Sequence, residues 1–401
     1  MAIQVDATTT HPERKEIARY LLSRGQAALE AEREALRQPA AAADAAAETG
    51  AVAHPRISFD FPAGLAPVPH PIAPEPDAAA ALPRADIVVI TWTVDEATAL
   101  AHVLTPGVSP ARWHHYAHGY DSYKDQIRAH APAAVSKRLG SYMPVTVGGK
   151  KVLCMKSELH LNQDGVKTGE GLATLPVKDF FKQIIAEVQP SHVFTIGTSG
   201  SVFEDFSLGD TVITRAAKFR LHNEFRNETW NGATYKSDWT IPTTHLDTAT
   251  KLAASIEPNL AEPPFAPPTK RYPAGGPPVT PPPDVPTIRM EQDHRDMPEF
   301  HPILTTDYFE YGTTANRLDK EGAAVEMGDA ALGLACSELQ APPRWAVIRN
   351  MSDPVINGDL PTKQYHLNEQ TTWAVGYYTA YGMYTSMCGA LATWGVIAGL
   401  A

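Results

Sequence analysis

Residues 192–214 read HVFTIGTSGSVFEDFSLGDTVIT, and this stretch decides the fold class. Its first six and last five residues are apolar runs rich in β-branched side chains, which are typical of buried strands. Between them, Thr198, Ser199 and Gly200 are small residues whose backbone a ligand can approach closely. The sequence therefore predicts two buried strands, with a small-residue loop where the first one ends.

Similar apolar runs occur on both sides of this stretch. They are DIVVI (86–90), KVLCM (151–155) and RWAVIRN (344–350). Helical patterns alternate with the strands over residues 94–104, 177–188 and 323–339. This alternation predicts an α/β protein, a three-layer sandwich whose central sheet is mixed or largely parallel.

Acidic and hydroxyl side chains follow two of the other strands. Asp95 and Glu96 begin the helix after the first strand, and Ser352 and Asp353 follow RWAVIRN. Ligands of such sheets bind at the carboxyl ends of strands, so parallel strands would bring these groups and the small-residue loop into one pocket. Each feature alone also has a structural interpretation, because an acidic first turn often only complements the helix dipole and a glycine loop is often only a turn.

Composition and charge exclude several classes of protein. A net charge of −11 leaves no excess positive field for nucleic acid or an anionic membrane. With 43% hydrophobic and 20% charged residues, the chain is not wholly disordered. Three cysteines far apart and a start without a signal-peptide run predict a reducing, cytoplasmic environment.

The uncharged stretch 371–401 is long enough to span a bilayer with some tilt. Five of its residues recur at alternating spacings of four and three, namely Tyr377, Tyr381, Tyr384, Cys388 and Leu391. This spacing is typical of a helix face that packs on a core. We therefore predict a buried terminal helix and no membrane partner.

Two proline-rich tracts divide the chain. Residues 1–38 contain a helix-start signal and leucines seven apart, which predict one amphipathic helix. The Ala/Pro tract 39–83 is too poor in large apolar residues to fold alone, so we expect a tether or a segment on a neighbour's surface. The proline-rich tract 258–302 is expected to be an extended insertion into the domain at 84–401.

Four segments, in this order, resemble the nucleoside phosphorylase/nucleosidase superfamily and are most similar to methylthioadenosine/S-adenosylhomocysteine nucleosidases. IVVITWTVDEATAL (87–100) resembles their opening strand and acidic turn, and 192–214 is similar to their strand, small-residue loop and Gly-Asp strand. ILTTDYFEYG (303–312) resembles the base-pocket segment with its aromatic residue, here Phe309. The segment 323–354 resembles the ribose-binding Met-Glu helix followed by a strand that ends in Ser-Asp.

The resemblance implies cleavage of the N-glycosidic bond of a purine nucleoside or nucleotide, without a cofactor or a metal. Such cleavage needs an acid for the departing base and a nucleophile aimed at the anomeric carbon. Asp353 matches the position that protonates the purine, where desolvation would raise its pKa. Glu96 matches the position that orients and deprotonates water. The other substrate-binding residues implied are Thr198, Ser199, Gly200, Phe309, Glu326, Met327, Asp329 and Ser352.

One position departs from the resemblance. Where the family has Met-Glu, with the glutamate chelating the ribose hydroxyls, this chain has Met327-Gly328-Asp329. Glu326 and Asp329 are three residues apart and would share one helix face. We expect one of them to take over, or the sugar to be held differently.

Two other functions stay open at this point. A phosphate-dependent phosphorylase would need a cation for phosphate, and Arg215, Arg220 and Arg349 are candidates. The acidic turn TWTVDE would repel phosphate and favours hydrolysis. A non-catalytic nucleoside- or nucleotide-binding regulatory protein would explain the missing ribose glutamate.

Four histidines invite attention. His114 and His118 would share one face of a helix, but no third ligand is nearby, so we predict no metal site. His160 and His222 fall near the expected pocket, as polar lining or as core residues.

The expected assembly is a homo-oligomer, most simply a dimer. Closed symmetric assemblies are the default for enzymes, and the leucine stripe and the extended proline tracts offer surface for one. We expect residues 1–83 or 258–302 to wrap the partner subunit.

Overall fold

The computed structural model describes residues 11–37, 58–256, 288–290, 301–360 and 369–401. Its helices are α1 (His11–Ser23), α2 (Gln26–Arg37), α3 (Val94–Leu104), α4 (Tyr120–Tyr123), α5 (Pro132–Ser136), α6 (Leu161–Asp164), α7 (Pro176–Val188), α8 (Leu246–Ala253), α9 (Ala330–Ser337) and α10 (Glu369–Ala398). Short 3-10 helices lie at Pro110–Arg112, Lys124–Gln126 and Leu318–Lys320.

The first strands along the chain are β1 (Val68–Pro69), β2 (Ile87–Thr91), β3 (His114–Tyr116), β4 (Gly140–Val147), β5 (Lys150–Ser157), β6 (Lys167–Gly169), β7 (Leu172–Ala173) and β8 (His192–Ser201). The later ones are β9 (Thr211–Thr214), β10 (Ala216–Phe219), β11 (Thr234–Lys236), β12 (Ile288–Met290), β13 (Ile303–Thr305), β14 (Ala324–Glu326) and β15 (Arg344–Asp353). Each of the five apolar runs predicted as strands lies in one of them, namely β2, β5, β8, β9 or β15.

Thirteen of the described strands form one mixed sheet. Its order is β1-β4-β5-β2-β8-β14-β13-β10-β11, and β15 pairs with both β8 and β9. Strands β5, β2, β8 and β15 are parallel, whereas β14 is antiparallel to β8. The carboxyl ends of β2, β8 and β15 therefore reach the same edge of the sheet.

Helices cover both faces of the sheet, which confirms the predicted three-layer α/β architecture. Ile87 and Val89 of β2 face the layer of α3, α8 and α10, and Val88 and Ile90 face the layer of α7 and α9. This alternation follows from the period of two in a strand. All four side chains are fully buried, and burying each one stabilises the fold by roughly 1.5–3 kcal/mol.

The terminal helix α10 is buried along most of its length, as its spacing of apolar residues predicts. It packs against α3, α8 and β15, and its indole at Trp394 donates a hydrogen bond to the carbonyl oxygen of Leu65 at 2.8 Å. No helix in the described part of the chain is both long and apolar enough to cross a bilayer.

The N-terminal arm, defined here as α1 and α2, is two helices where the sequence predicts one. Gly25 separates them with a φ of +78°, and a Cβ there would lie 3.2 Å from the Cβ of Val94. Only glycine adopts this conformation without strain so close to another chain segment. Leu22 and Leu29 are buried and Leu36 is 44% exposed, so most of the leucine stripe covers its own domain.

Residues 58–83 differ from the expected tether. β1 pairs with β4, Phe59 and Phe61 pack against the core, and Leu82 is buried. The Ala/Pro tract up to residue 57 and most of 258–302 lie outside the described residues. Within the second tract, β12 pairs in parallel with β9.

The helix predicted over 323–339 is too long. Ala324–Glu326 is strand β14, which pairs with both β13 and β8, and the helix begins only at Ala330. A short apolar run does not distinguish a strand from a buried helix end, and here the neighbouring strands decide.

Replacing Trp394 tests how residues 58–65 are held. Trp394→Phe keeps a ring in the core but leaves the Leu65 carbonyl without its donor. We expect the free energy of unfolding to fall by about 1–3 kcal/mol, and amide exchange near Leu65 to accelerate. Urea denaturation and hydrogen exchange measure both. Tyr20→Phe, at a side chain that is 63% exposed, is the control and should change stability by less than about 0.5 kcal/mol.

Candidate active site

A cavity lies beside β8, in the gap between the end of its pairing with β2 and the start of its pairing with β14. β2 pairs with β8 as far as Thr195, and β14 joins the same edge only at Gly200. The opposite edge of β8 stays paired with β15 throughout. The gap lies beside Thr198 and Ser199, which continue strand β8 and do not form the predicted loop.

The carboxylate of Glu96 fills part of this gap. Its Oε1 accepts hydrogen bonds from the backbone N–H and the hydroxyl of Thr198 at 2.9 and 3.0 Å. Its Oε2 accepts from the hydroxyl of Thr91 at 2.9 Å and from the backbone N–H groups of Trp92 and Thr93 at 3.2 and 2.9 Å. Thr93 in turn caps α3 by accepting from the Glu96 amide, which completes a capping box.

Glu96 is ionised in this environment. Burial alone would raise its pKa, but the Arg349 guanidinium and the hydrogen bonds from Thr198 and Thr93 lower the pKa below its usual value. Asp95, expected in the same pocket, instead points toward the N-terminal arm, where Arg24 lies 3.7 Å away. Only one of the two carboxylates in the acidic turn therefore faces the cavity.

Asp353 lies on the other side of the cavity and is almost fully buried. The hydroxyl of Ser352 is 3.1 Å from its Oδ1, whereas its Oδ2 has no hydrogen-bond partner in the described part of the protein. Burial raises its pKa well above the usual value of 3.8, against the weaker opposing effect of Ser352. The raised pKa favours the protonated form of the carboxyl group, and one of its oxygens is directed at Gly200.

Gly200 is required at this point of closest approach. A Cβ there would lie 3.1 Å from Asp353 Oδ2 and 3.0 Å from Val325 Cγ1. Any side chain would close the space in front of the acid. Phe309 and Met327 line the cavity as well, and Ser199 is fixed by donating its hydroxyl to the Asn350 carbonyl at 3.2 Å.

Arg349 is the cation of the site. It binds Asp329 through two hydrogen bonds of 2.7 and 2.5 Å and lies 3.3 Å from Glu326 Oε2. Its third arm donates to the Thr198 carbonyl at 3.2 Å, and its guanidinium lies 5.1 Å from the centre of the Trp92 ring. The guanidinium thus already pairs with two carboxylates and one backbone carbonyl of the protein.

Glu326 and Asp329 do not share a helix face, which corrects the sequence-based expectation. Glu326 ends β14 and lines the cavity, whereas Asp329 lies outside the lining and faces Arg349. The two oxygens of Glu326 receive hydrogen bonds from Thr305 and from the backbone N–H groups of Gly328 and Asp329. Burial, and then the charge of Asp329, raise the pKa of Glu326 to about 8.

Other cavity residues were missed by sequence reasoning or assigned elsewhere. Tyr378 of α10 is not part of the helix stripe predicted from the sequence, but its hydroxyl lies near the side chains of Thr198 and Thr93. Its contact with β8 depends on how the terminal helix packs, and no local motif indicates it. The other residues in this group are Leu21, Leu22, Trp92, Thr93, Glu310 and Val325.

The N-terminal arm forms one wall of the cavity through Leu21 and Leu22. Arg14 anchors α1 there with a buried ion pair to Glu310 at 2.9 Å and a hydrogen bond to the Tyr311 hydroxyl at 2.7 Å. The enclosed cavity volume is about 40 Å³. Pockets for small molecules usually enclose about 300–1,000 Å³, so this cavity is much smaller than a typical ligand site, and the arm occupies part of its rim.

Of the ten predicted site residues, the structure brings nine together around the cavity and leaves out Asp329. His160 joins them, whereas His222 does not. Arg215 and Arg220 also lie outside the lining, and Arg220 pairs with Glu310 at 2.9 Å.

No group of three metal-ligating side chains occurs in the described ranges. His114 lies in β3 and His118 in the turn before α4, so the helical spacing expected for the two is wrong. Each of them instead contacts a glutamate, Glu75 and Glu187 respectively.

Glu96→Gln tests the hydrogen bonds through which Glu96 links β2, α3 and β8. The amide would turn an N–H donor toward one of the backbone N–H groups that Glu96 now accepts from, whichever way it is oriented. We expect a loss of about 1–3 kcal/mol in the free energy of unfolding. Asp95→Asn, one residue earlier and partly exposed, should cost less than about 0.5 kcal/mol. Equal losses in urea denaturation would contradict this role for Glu96.

No family model matches the sequence, and neither does any curated protein sequence. Similar solved structures include a 5′-methylthioadenosine/S-adenosylhomocysteine nucleosidase from Neisseria meningitidis in complex with methylthio-immucillin-A, at 15% identity and a TM-score of 0.40, over 78% of this chain and 98% of that one. Futalosine hydrolase of Helicobacter pylori is 12% identical with a TM-score of 0.43, over 78% and 96% of the two chains. A nucleosidase from Helicobacter pylori with butyl-thio-DADMe-Immucillin-A is 12% identical with a TM-score of 0.43, over 78% of this chain and 98% of that one. By their descriptions these proteins are nucleosidases or hydrolases. Any chemistry assigned to the cavity described above must follow from the residues of this chain.

Proposed function

We propose that this protein hydrolyses the N-glycosidic bond of a purine nucleoside or nucleotide and releases the base. The observation that carries the proposal is the Asp353 carboxyl group, which is buried, has a raised pKa and has no partner at Oδ2 among the described residues, where it faces a cavity. A buried polar atom without a partner is rare in proteins and costs stability. Its retention in a cavity of this kind points to a function for its proton.

Asp353 serves as the acid for the departing base. Breaking the bond between the sugar and the base leaves negative charge on the purine ring, and a proton donor at that position stabilises the transition state. Desolvation raises the pKa of Asp353 and so favours its protonated form. Ser352 holds the carboxyl group from the Oδ1 side, so the proton is available at Oδ2.

Glu96 acts on the sugar side, as the sequence resemblance implies. The sugar becomes positively charged in the transition state, and the anionic Glu96 next to the cavity stabilises that charge. The hydroxyls of Thr198 and Tyr378 lie beside the carboxylate, and hydroxyl hydrogens can rotate. A water molecule that takes the place of the Thr198 hydroxyl at Oε1 would be oriented, and deprotonated, by Glu96.

Hydrolysis is favoured over phosphorolysis by the charges that line the cavity. A phosphate dianion needs a cation with free donors or a row of backbone N–H groups. Among the described lining residues the cation is Arg349, and its donors go to Asp329, Glu326 and Thr198. The anionic Glu96 would repel phosphate at the same place.

The first experiment is a screen for base release with purine nucleosides and nucleotides, with and without phosphate. Release that needs no phosphate supports hydrolysis, whereas release that requires phosphate supports the phosphorylase. Binding without release supports a regulatory protein.

The homo-oligomer stays a prediction, and light scattering tests it. The cytoplasmic location also stays a prediction. In the described residues, parts of 1–83 already pack on their own domain.

Asp353→Asn should lower the turnover of a substrate found in this screen by about two to four orders of magnitude, because the amide has no acidic proton to give. Ligand affinity should change little. Asp359→Asn, an exposed aspartate on the following loop, is the matched control and should keep full activity. Turnover and dissociation constants together separate chemistry from binding, and an unchanged turnover in Asp353→Asn would refute the assignment.

Asp353→Asn should also change the pH dependence of stability. Since the folded pKa of Asp353 is raised, the folded state binds more protons than the unfolded state above the usual value of 3.8. The contribution of Asp353 is therefore fully favourable below that value and is lost as pH rises toward the folded pKa. The variant, compared with the parent protein by urea denaturation from pH 4 to pH 9, should become relatively more stable as pH rises. Parallel curves would show that Asp353 is not a buried acid.

A further inference from the structure

We propose that His160 holds the sugar by donating one hydrogen bond, and that the site therefore accepts purine nucleosides that lack one of the two ribose hydroxyls. This inference rests on the proposed function, because it assumes that the base faces Asp353. It concerns the opposite end of the cavity, where Gly328 stands in place of a carboxylate.

Gly328 opens this end of the cavity. A Cβ there would lie 3.5 Å from His160 Nε2, 3.5 Å from the Trp92 ring and 3.7 Å from Glu326 Oε2, which are ordinary contact distances. A Cβ would thus fit without strain, and it would lie next to these groups. The glycine leaves that space to the ligand.

The carboxylates next to Gly328 are not available to a sugar diol. Glu326 receives hydrogen bonds from Thr305, from the Gly328 N–H and from the Asp329 N–H, and its Oε2 also faces Arg349. Asp329 is engaged by Arg349 through both oxygens. A ribose presents two hydroxyl donors there, and the nearby acceptors already have donors.

His160 offers the opposite kind of group. Its Nδ1 accepts the backbone N–H of Asn162 at 3.1 Å, where it caps α6. Burial, and then the charge of Arg349, lower the pKa of His160 to about 3, so the ring is neutral and its proton must be on Nε2. Nε2 has no hydrogen-bond partner in the described part of the structure, and the ring stands edge-on to Trp92 with centroids 5.7 Å apart. The cavity thus presents a fixed, neutral donor.

A single donor imposes a definite selectivity. One sugar oxygen accepts from His160, and removing it leaves a buried donor unpaired, which costs roughly 10- to 100-fold in affinity. The second hydroxyl has no dedicated acceptor, so its removal changes affinity by less than about tenfold. A site built on a carboxylate that binds both hydroxyls would reject either monodeoxy nucleoside far more strongly.

The experiment measures affinities of the Asp353→Asn protein, in which hydrolysis is suppressed, for adenosine, 2′-deoxyadenosine, 3′-deoxyadenosine and 2′,3′-dideoxyadenosine. One monodeoxy nucleoside should bind within tenfold of adenosine, and the dideoxy nucleoside should bind at least tenfold more weakly. If both monodeoxy nucleosides bind more than 100-fold more weakly than adenosine, a diol-binding group exists and the inference is wrong.

Two variants assign the effect to His160 and Gly328. His160→Asn keeps an oxygen that can cap α6 but removes the distant N–H, so adenosine and the dideoxy nucleoside should bind within threefold of each other. Gly328→Glu supplies an acceptor and should raise the preference for adenosine over both monodeoxy nucleosides by tenfold or more, whereas Gly328→Ala, the control for bulk, should not. If His160→Asn leaves the dideoxy ratio unchanged, His160 is not the donor.

The two proposals fail in different ways. If the unmodified protein releases no base from any nucleoside while the affinities follow the predicted order, the proposed hydrolysis is wrong and the inference about the sugar stands. If base is released but both monodeoxy nucleosides bind more than 100-fold more weakly than adenosine, the proposed hydrolysis stands and the inference about the sugar is wrong. If none of the four nucleosides binds at millimolar concentration, both are wrong.

Discussion

On the edge of β8 that faces β2, no described strand pairs with the backbone between Thr195 and Gly200. A buried N–H group left there without an acceptor would cost about 1–3 kcal/mol. Glu96 supplies the acceptor at Thr198 and at the same time caps the helix that starts at Val94. The gap that β2 and β14 leave therefore becomes a lined cavity and not a defect in the sheet, and every other group of the site is arranged around that carboxylate.

Bringing a carboxylate into this position determines the charges nearby. Glu96, Glu326 and Asp329 surround the single guanidinium of Arg349, so the buried cluster carries more acid than base. The excess is relieved by a proton on Glu326, whose pKa is raised, and by backbone N–H donors. Asp353 differs from Glu326, because burial and not a neighbouring carboxylate raises its pKa.

Much of this site could be predicted because its residues follow strand ends. Glu96, Thr198, Ser199, Gly200 and Asp353 come directly after or within apolar runs, and parallel strands bring such positions to one edge. Parallel pairing of the strands brings these residues together, and the apolar runs in the sequence predict those strands well.

The remaining parts depend on contacts between distant segments. Glu326 belongs to a three-residue strand whose identity is decided by its neighbours β13 and β8, and its local apolar pattern equally fits a helix. Tyr378 follows the first residue of the predicted stripe, and only the packing of α10 on β8 brings it to the cavity. His160 gains its role only when the segment after β5 turns toward Gly328. In none of these cases do nearby residues carry the information.

The closed wall formed by Leu21 and Leu22 has a consequence for binding thermodynamics. A cavity of about 40 Å³ has room for one or two water molecules, so the nucleoside proposed above would fit only if a wall such as the arm moved. The observed dissociation constant is then the intrinsic one divided by the fraction of molecules with the arm displaced. The buried pair of Arg14 and Glu310 holds the arm in place, and its arginine lies outside the lining of the cavity. A substitution of Arg14 would therefore change affinity through a population, without altering a side chain that lines the cavity.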